Sequence, residues 1–351
     1  MRLADLVVEA WRNTRLGASR ALLAVAVLGP VVLALAWLDM SQVAAVQHEA
    51  DAYRQAGAAT YVITADGQVD GARCDALTRV TGVRAAGAGR SANAAFVPVA
   101  TPRNAIPQYD ITPGLARQLD PDYTTGIALD ALTAQGLGIT PGALLRGATG
   151  DAAVVATYDY PADGRDQTLS YALTRSGAPT GTYDQCWVAM WPPDPPTAGT
   201  LLSTTLAAGA DLDQVRTGQL NPTLGASFDA PQRFQTRTGR YAAPAAFLFA
   251  LALVVGIARL RRLELAYARH LGLSRLHVTA LLTLETTIVA IPAAAIGAAA
   301  TTIYASTTHL NQLWPFGLRV LALAVLGAIA GAVLAGATTS QKRLFRYFKT
   351  R

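Results

Sequence analysis

The sequence predicts a membrane protein of four transmembrane helices, with a large extracytoplasmic α/β (α+β) domain between the first and second spans. Three observations carry this expectation. First, four apolar runs, 18–38, 243–260, 278–304 and 318–337, reach or approach the roughly 20 residues that cross a hydrocarbon core of about 30 Å. Second, about 200 residues of ordinary soluble composition separate the first run from the second. Third, charge is divided between these parts. Residues 39–240 hold 14 Arg and 19 acids, a net charge of −5, whereas the rest holds 15 basic residues and 4 acids, a net of +11.

Residues 1–17 precede the first span. Leu3, Leu6, Val7, Ala10 and Trp11 recur at helical spacing among Arg and acidic residues, which predicts an amphipathic helix on the inner membrane surface. Ala34-Leu35-Ala36 has the form of a signal-cleavage site. The apolar run is nevertheless longer than a signal core, and its patterned leader favours a retained span. Ser41–Gln55 reads as a helical stalk continuing that span outward.

In the domain at 39–242, Thr60–Thr64 reads as a strand closed by an Asp66-Gly67 turn. Leu77 to Val83 reads as a short helix running into a strand. Ala94–Ala100, Ala152–Tyr158, Leu169–Thr174 and Trp187–Ala189 are further strand candidates, and Gly126–Leu129 precedes a helix over Asp130–Gln135. Ala143–Leu145 follows a turn at Pro141-Gly142. Pro192, Pro193, Pro195 and Pro196 predict a rigid exposed loop. Leu201–Ala208 and Leu212–Leu220 predict one or two helices returning to the membrane. Cys74 and Cys186 both fall in this domain, where an oxidising compartment favours a disulfide over two buried thiols.

Beyond the domain, the cytoplasmic connection at 261–277 and the tail at 338–351 are basic. The loop at 305–317 has no Lys or Arg. The positive-inside rule then puts both termini in the cytoplasm and the domain outside, and the alanine and arginine bias with almost no lysine suggests the cell membrane of a bacterium. It also accounts for the basic sequence pI of 9.5 without nucleic acid. Pro30 and Pro292 predict kinks, and Gly327-x-x-x-Gly331 predicts close helix packing.

Enzymatic motifs are missing. A phosphate-binding loop needs a lysine, and none precedes Lys342. His48, His270, His277 and His309 are scattered, and there is no H-E-x-x-H, G-x-S-x-G or zinc-spaced Cys/His cluster. No catalytic, cofactor-binding or metal residue is assigned. A membrane hydrolase assembled from distant residues is one competing class. A membrane-anchored receptor or assembly protein without an ATPase is another.

The stretch 261–285 leaves one span and enters the next. It is basic and amphipathic, with Leu263, Ala266, Leu271 and Leu273 as a candidate apolar face, and Gly272 interrupts it. By spacing alone it reads equally as a basic loop that sets topology. Its motif is Arg261-Arg262, Glu264, Arg269, Leu271-Gly272, Ser274 and Glu285. This pattern resembles the FtsX-like permease family, which includes MacB-type ABC transporter permeases. His270 and Leu273 depart from it, since small or basic residues are more usual there. The order of the spans and the external domain are similar too, as are the Gly82-Val83 and Leu137-Gly138…Pro141-Gly142 turns.

The resemblance implies the permease subunit of an ABC transporter or mechanotransmission complex. It implies a homo- or heterodimer with a second permease copy, ATP and Mg bound by a separate cytoplasmic ABC ATPase, and a possible external protein partner. Residues Arg259–Val278 would then form the ATPase-coupling segment. Glu285 lies early in a span, where an acid is costly unless satisfied. It reads as a structural ion pair with Arg275, or with Arg269.

Overall fold

The computed structural model describes residues 3–17, 19–308 and 310–339. Arg2, His309 and the basic tail residues Lys342, Arg343, Arg346, Lys349 and Arg351 lie outside the described residues. In chain order, helix α1 (Leu3–Arg15) and helix α2 (Ala21–Gln55) lead to strand β1 (Thr60–Asp70), α3 (Gly71–Ala76), β2 (Val83–Ser91) and β3 (Gln108–Ile111). Next come α4 (Pro113–Leu119), β4 (Gly126–Asp130), α5 (Ala131–Leu137), β5 (Leu144–Leu145) and β6 (Ala152–Tyr158). They are followed by β7 (Leu173–Ser176), β8 (Thr182–Met190), α6 (Pro195–Ser203), β9 (Arg216–Gln219) and α7 (Ala230–Thr236). The chain then forms α8 (Ala242–Leu260), α9 (Arg262–His270), α10 (Arg275–Thr307) and α11 (Trp314–Thr338). It divides into two compact units, Met1–His48 with Ala230–Arg351, and Glu49–Asp229.

In the first unit, four helical segments are long and apolar enough to cross a membrane: Ala21–Gln55, Thr238–Leu260, Arg275–Thr307 and Trp314–Thr338. Helix α2 runs unbroken past the predicted span, as a stalk would, and both α2 and α10 stay helical through Pro30 and Pro292. Small residues set the packing. A Cβ at Gly327 would strike the Phe247 carbonyl oxygen, and one at Gly331 would lie 2.7 Å from that of Leu251. The Gly-x-x-x-Gly pair therefore seats α11 on α8 within the chain. Val32 and Ala36 of α2 pack with Ala243 and Ala246 of α8 and Val320 and Ala324 of α11. Helix α1 lays Leu6 and Ala10 against Leu281, Leu284 and Ile288 of α10, leaving Val7 and Trp11 exposed. The apolar positions of α1 thus divide between a protein contact and an open face.

The second unit is a nine-stranded mixed sheet in the order β5-β6-β4-β7-β3-β2-β8-β1-β9. The pairs β3–β7 and β4–β6 are parallel and the other pairs antiparallel. Period-2 burial in β1 places Tyr61, Ile63 and Ala65 in one core with Cys74, Val188, Ala198 and Leu202, beneath α3 and α6. The far half of the sheet has its own core around Phe96, Leu129, Val154 and Leu173.

Several local expectations are corrected here. Asp66-Gly67 does not turn the chain. It lies in an irregularity between Thr64 and Val69, where β1 shifts register against β8, and Asp184 accepts the Gly67 N–H at 2.9 Å. Pro195 and Pro196 begin α6 instead of belonging to a loop, because proline suits a first helical turn and Asp194 caps the Thr197 N–H at 3.3 Å. Within Leu212–Leu220, residues Arg216–Gln219 form edge strand β9 on β1, held by backbone pairing with little apolar signal. The Leu169–Thr174 strand forms later, at Leu173–Ser176, and Ala94–Ala100 supplies only the isolated bridges of Phe96 and Pro98.

The last residues of α2, from Glu49, belong to this unit, and their end is satisfied within it. Helix ends leave carbonyls without intrahelical partners. Here the Gln55 carbonyl accepts from Arg165 Nη2 at 2.7 Å and the Ala56 carbonyl from Asn221 Nδ2 at 3.0 Å. The Ala58 carbonyl, just beyond, accepts from Gln219 Nε2. Asn221 is fully buried, so this satisfaction is obligatory.

Candidate functional site

The predicted coupling segment divides into two parts. Helix α9 ends at a glycine with φ of 101°, a conformation that suits Gly272 and strains any other residue. The Leu273 N–H bonds to the Ala268 carbonyl at 3.3 Å, closing that end. Ser274 then caps α10, accepting the His277 N–H at 3.3 Å. Ser274 is therefore committed to starting a helix. Leu265 and Ala266 are buried, and Leu265 packs with Ala258, Val278, Leu282, Ala332 and Ala335, with Leu273 partly buried against them. This corrects the predicted apolar face, since Leu271 is 66% exposed. Arg262, Glu264, Tyr267, His270 and Leu271 are on the open side. Arg269 reaches back to donate to the Thr339 carbonyl.

At the start of α9 lies an ionic network, buried at Arg261 and Glu285 and open at Glu264. Arg261 Nη1 meets Glu285 Oε2 at 2.6 Å and Arg261 Nε meets Glu264 Oε2 at 3.1 Å. Asn13 Nδ2 of α1 donates to Glu285 Oε1 at 2.8 Å. Glu285 is thus an ion-paired residue, but its partner is Arg261 and not Arg275 or Arg269. Arg275 sits ten residues earlier on the same helix, about 15 Å away along the axis at 1.5 Å per residue. Arg261, at the junction of α8 and α9, turns inward instead. Three helices, α1, α9 and α10, thereby converge on one carboxylate–guanidinium pair.

Sequence reasoning missed a second buried pair. Arg237 Nε meets Asp39 Oδ1 at 3.2 Å, with both side chains buried. Arg237 also lies 3.7 Å from the centroid of the Phe234 ring and 5.5 Å from that of Phe316, a desolvated cation–π arrangement. Gln42 on the next turn of α2 bonds the Gly239 N–H at 2.6 Å. The available signal was Asp39 itself, an acid directly after the apolar run ending in Trp37-Leu38.

In the sheet unit, Cys74 and Cys186 are bonded, with Cα atoms 5.9 Å apart and a sequence separation of 112. The bridge joins α3 to β8. One residue further on, burial pushes the Asp75 carboxyl above its usual range, although Thr112 and the Gly114 N–H donate to it. A cleft of about 470 Å³ opens beside Tyr109, Trp187, Asp166 and Asp184. Asp184 spends both oxygens on the backbone N–H groups of Gly67 and Ser91, so it serves the sheet.

Fold and site together define a class: four helices of membrane-spanning length and composition, a short basic helix joining two of them, and a mixed α/β sheet unit. No protein-family model matches the chain. No curated protein matches it. Among solved structures, the periplasmic region of MacB from Actinobacillus actinomycetemcomitans aligns over 48% of this chain and 91% of its own length, at 12% identity and a TM-score of 0.34. A likeness of that size leaves the fold and function to be argued from this chain's own residues.

Proposed function

We propose that this chain is the permease subunit of an ABC transporter or mechanotransmission complex, oriented with both termini in the cytoplasm. In this reading it couples ATP hydrolysis by a separate ATPase to movement of an extracytoplasmic domain. One observation carries the reading. Helix α9 joins two apolar helices, is fastened on one side by Leu265 and the Arg261–Glu285 pair, and offers Arg262, Tyr267, His270 and Leu271 on the other. Force applied to that open side would reach α8 and α10 through short, buried links. The motif of residues 261–285 supports the same reading by its resemblance to FtsX-like permeases. ATP and Mg belong to the partner, and a second permease copy completes the assembly.

The test is copurification of the full chain with an ABC-type ATPase from its native cell. Leu271→Asp changes only an exposed side chain and should weaken that association or uncouple hydrolysis, with abundance unchanged. Glu264→Lys should do the same while also placing a cation beside Arg261. Asp122→Lys, at an exposed turn of the sheet unit, serves as the control. Full coupled activity in both α9 variants would reduce α9 to a topological loop.

A further inference from the structure

Two cavities of about 90 Å³ and 190 Å³ share Val25, Leu28, Ala290 and Ala328, and so form one groove between α2, α10 and α11, walled at one end by Val254, Ile257 and Ala258 of α8. The groove arises from the way α2 packs. Val32 and Ala36 are buried against α8 and α11, whereas Leu22, Leu23, Val25 and Val27 nearer its start are exposed. From Glu285 to Gly297 it follows α10 for 12 residues, roughly 18 Å at 1.5 Å per residue. That is on the order of half a 30 Å hydrocarbon core, the depth of one leaflet.

The groove is apolar along its length and polar at one end, where Ser19, Arg261, Glu285 and Thr286 line it. The hydrogen-bond inventory at that end is lopsided. Both Glu285 oxygens are taken, one by Asn13 and one by Arg261. Thr286 donates to the Leu282 carbonyl at 2.8 Å. Ser19 Oγ is buried, with its residue 8% exposed, and has no hydrogen-bond partner among the described residues. Arg261 uses Nε and Nη1 on the two glutamates, leaving Nη2 outside those bonds. What remains is donor capacity, a hydroxyl and a guanidinium N–H, at the mouth of an apolar channel. A buried hydroxyl without a partner is costly to keep out of water, so an acceptor belongs there.

We propose that this groove is a binding site for one glycerophospholipid of the leaflet on the α1–α9 side. An acyl chain lies along Val25, Leu28, Ala290 and Ala328, and the phosphodiester accepts from Ser19 Oγ and Arg261 Nη2. The proposal rests on the chain being integral to a membrane, and not on any ATPase.

The test uses the purified full chain. Native mass spectrometry should find one phospholipid retained after the others are stripped by detergent. Dioleoylphosphatidylethanolamine should be retained about 10-fold better than dioleoylglycerol, which has the same chains and no phosphate. Ser19→Ala should cut that preference several-fold without lowering the thermal transition. Val25→Trp, at a partly exposed groove position, should abolish retention of both lipids. Inorganic phosphate at 10 mM should neither displace the lipid nor protect the protein.

Equal retention of the two lipids would overturn the proposal. So would displacement by free phosphate, or self-crosslinking of Val25→Cys showing that a second copy fills the groove. Alkaline carbonate extraction separates the two levels of failure. An extractable chain removes the membrane reading and the site with it. An integral chain that retains no lipid removes only the site.

Discussion

Glu285 illustrates how a single acid in an apolar helix is made tolerable. A carboxylate withdrawn from water needs a charge partner and filled lone pairs, and it has Arg261 on one oxygen and Asn13 on the other. Such a pair is expensive to break and cheap to replace. Arg261→Gln should therefore destabilise the helical unit by about 3 kcal/mol or more, because it strands Glu285. Arg261→Met with Glu285→Leu should recover most of that loss, read as thermal unfolding in one detergent. Additive losses would mean that the two side chains do not act as a pair. Titration in the sheet unit has two opposite signs. Burial raises the Asp75 carboxyl, so the folded state holds that proton more tightly than the unfolded chain. Its favourable contribution is complete below the unfolded pKa of about 3.9 and is lost as pH rises through the folded value. Asp163 is held low by Arg165, so its contribution is present above the unfolded value and lost on acidification through the folded one. Denaturant midpoints at pH 4 and pH 7 should therefore favour Asp75→Asn over wild type more strongly at pH 7. Asp163→Asn should lose ground to wild type at both pH values, and recover it only on further acidification below pH 4, as Asp163 protonates in the folded state. Shifts in the reverse directions would reject these assignments.

At the scale of elements, the legible features were those with a local cause. The apolar runs became α2, α8, α10 and α11, and the strand at Ala152–Tyr158 was read to the residue, whereas Asp130, read as the first residue of a helix, ends β4 and caps α5. The features missed depend on distant partners. Strand β9 exists because β1 offers an edge, and Asp66-Gly67 stays within β1 as a bulge, with Gly67 at a left-handed φ of 65° and its N–H accepted by Asp184. Arg261 was singled out for an outer surface, yet it faces inward because Glu285 lies 24 residues away at the right height on α10. No spacing rule within one helix contains that information. The Gly327-x-x-x-Gly331 pair was legible as a packing motif, but its partner was not. The structure makes the partner α8, and this predicts a sharp contrast. Gly327→Ala should drive a methyl into the Phe247 carbonyl and sharply lower the thermal transition or the yield of folded protein. Gly256→Ala, where a Cβ meets nothing within 4 Å, should be neutral or stabilising by up to about 1 kcal/mol. Equal tolerance at both positions would break the assignment of the α8–α11 contact.

For the molecule as a whole, the proposed orientation rests on charge and not on packing. Lys and Arg near span ends set which side stays in the cytoplasm. Here the segments flanking the spans carry a net +11 and the large intervening block −5. Inverting the chain would send the basic segments across the membrane and keep the acidic block inside, against that bias at every loop. The disulfide adds an independent argument, since it needs an oxidising compartment and both of its cysteines lie in the sheet unit. It also makes the experiment clean. With Cys74 and Cys186 bonded to each other, neither reacts with a thiol reagent, so introduced cysteines report alone. Arg103→Cys and Leu132→Cys occupy exposed positions in the sheet unit, and Leu271→Cys an exposed position after α9. In whole cells with any outer barrier opened, an impermeant maleimide should label positions 103 and 132. It should label position 271 only after the inner membrane is permeabilised. Labelling of Leu271→Cys from outside would invert the topology. It would also end the coupling role of α9, since a cytoplasmic ATPase can push only on what faces it.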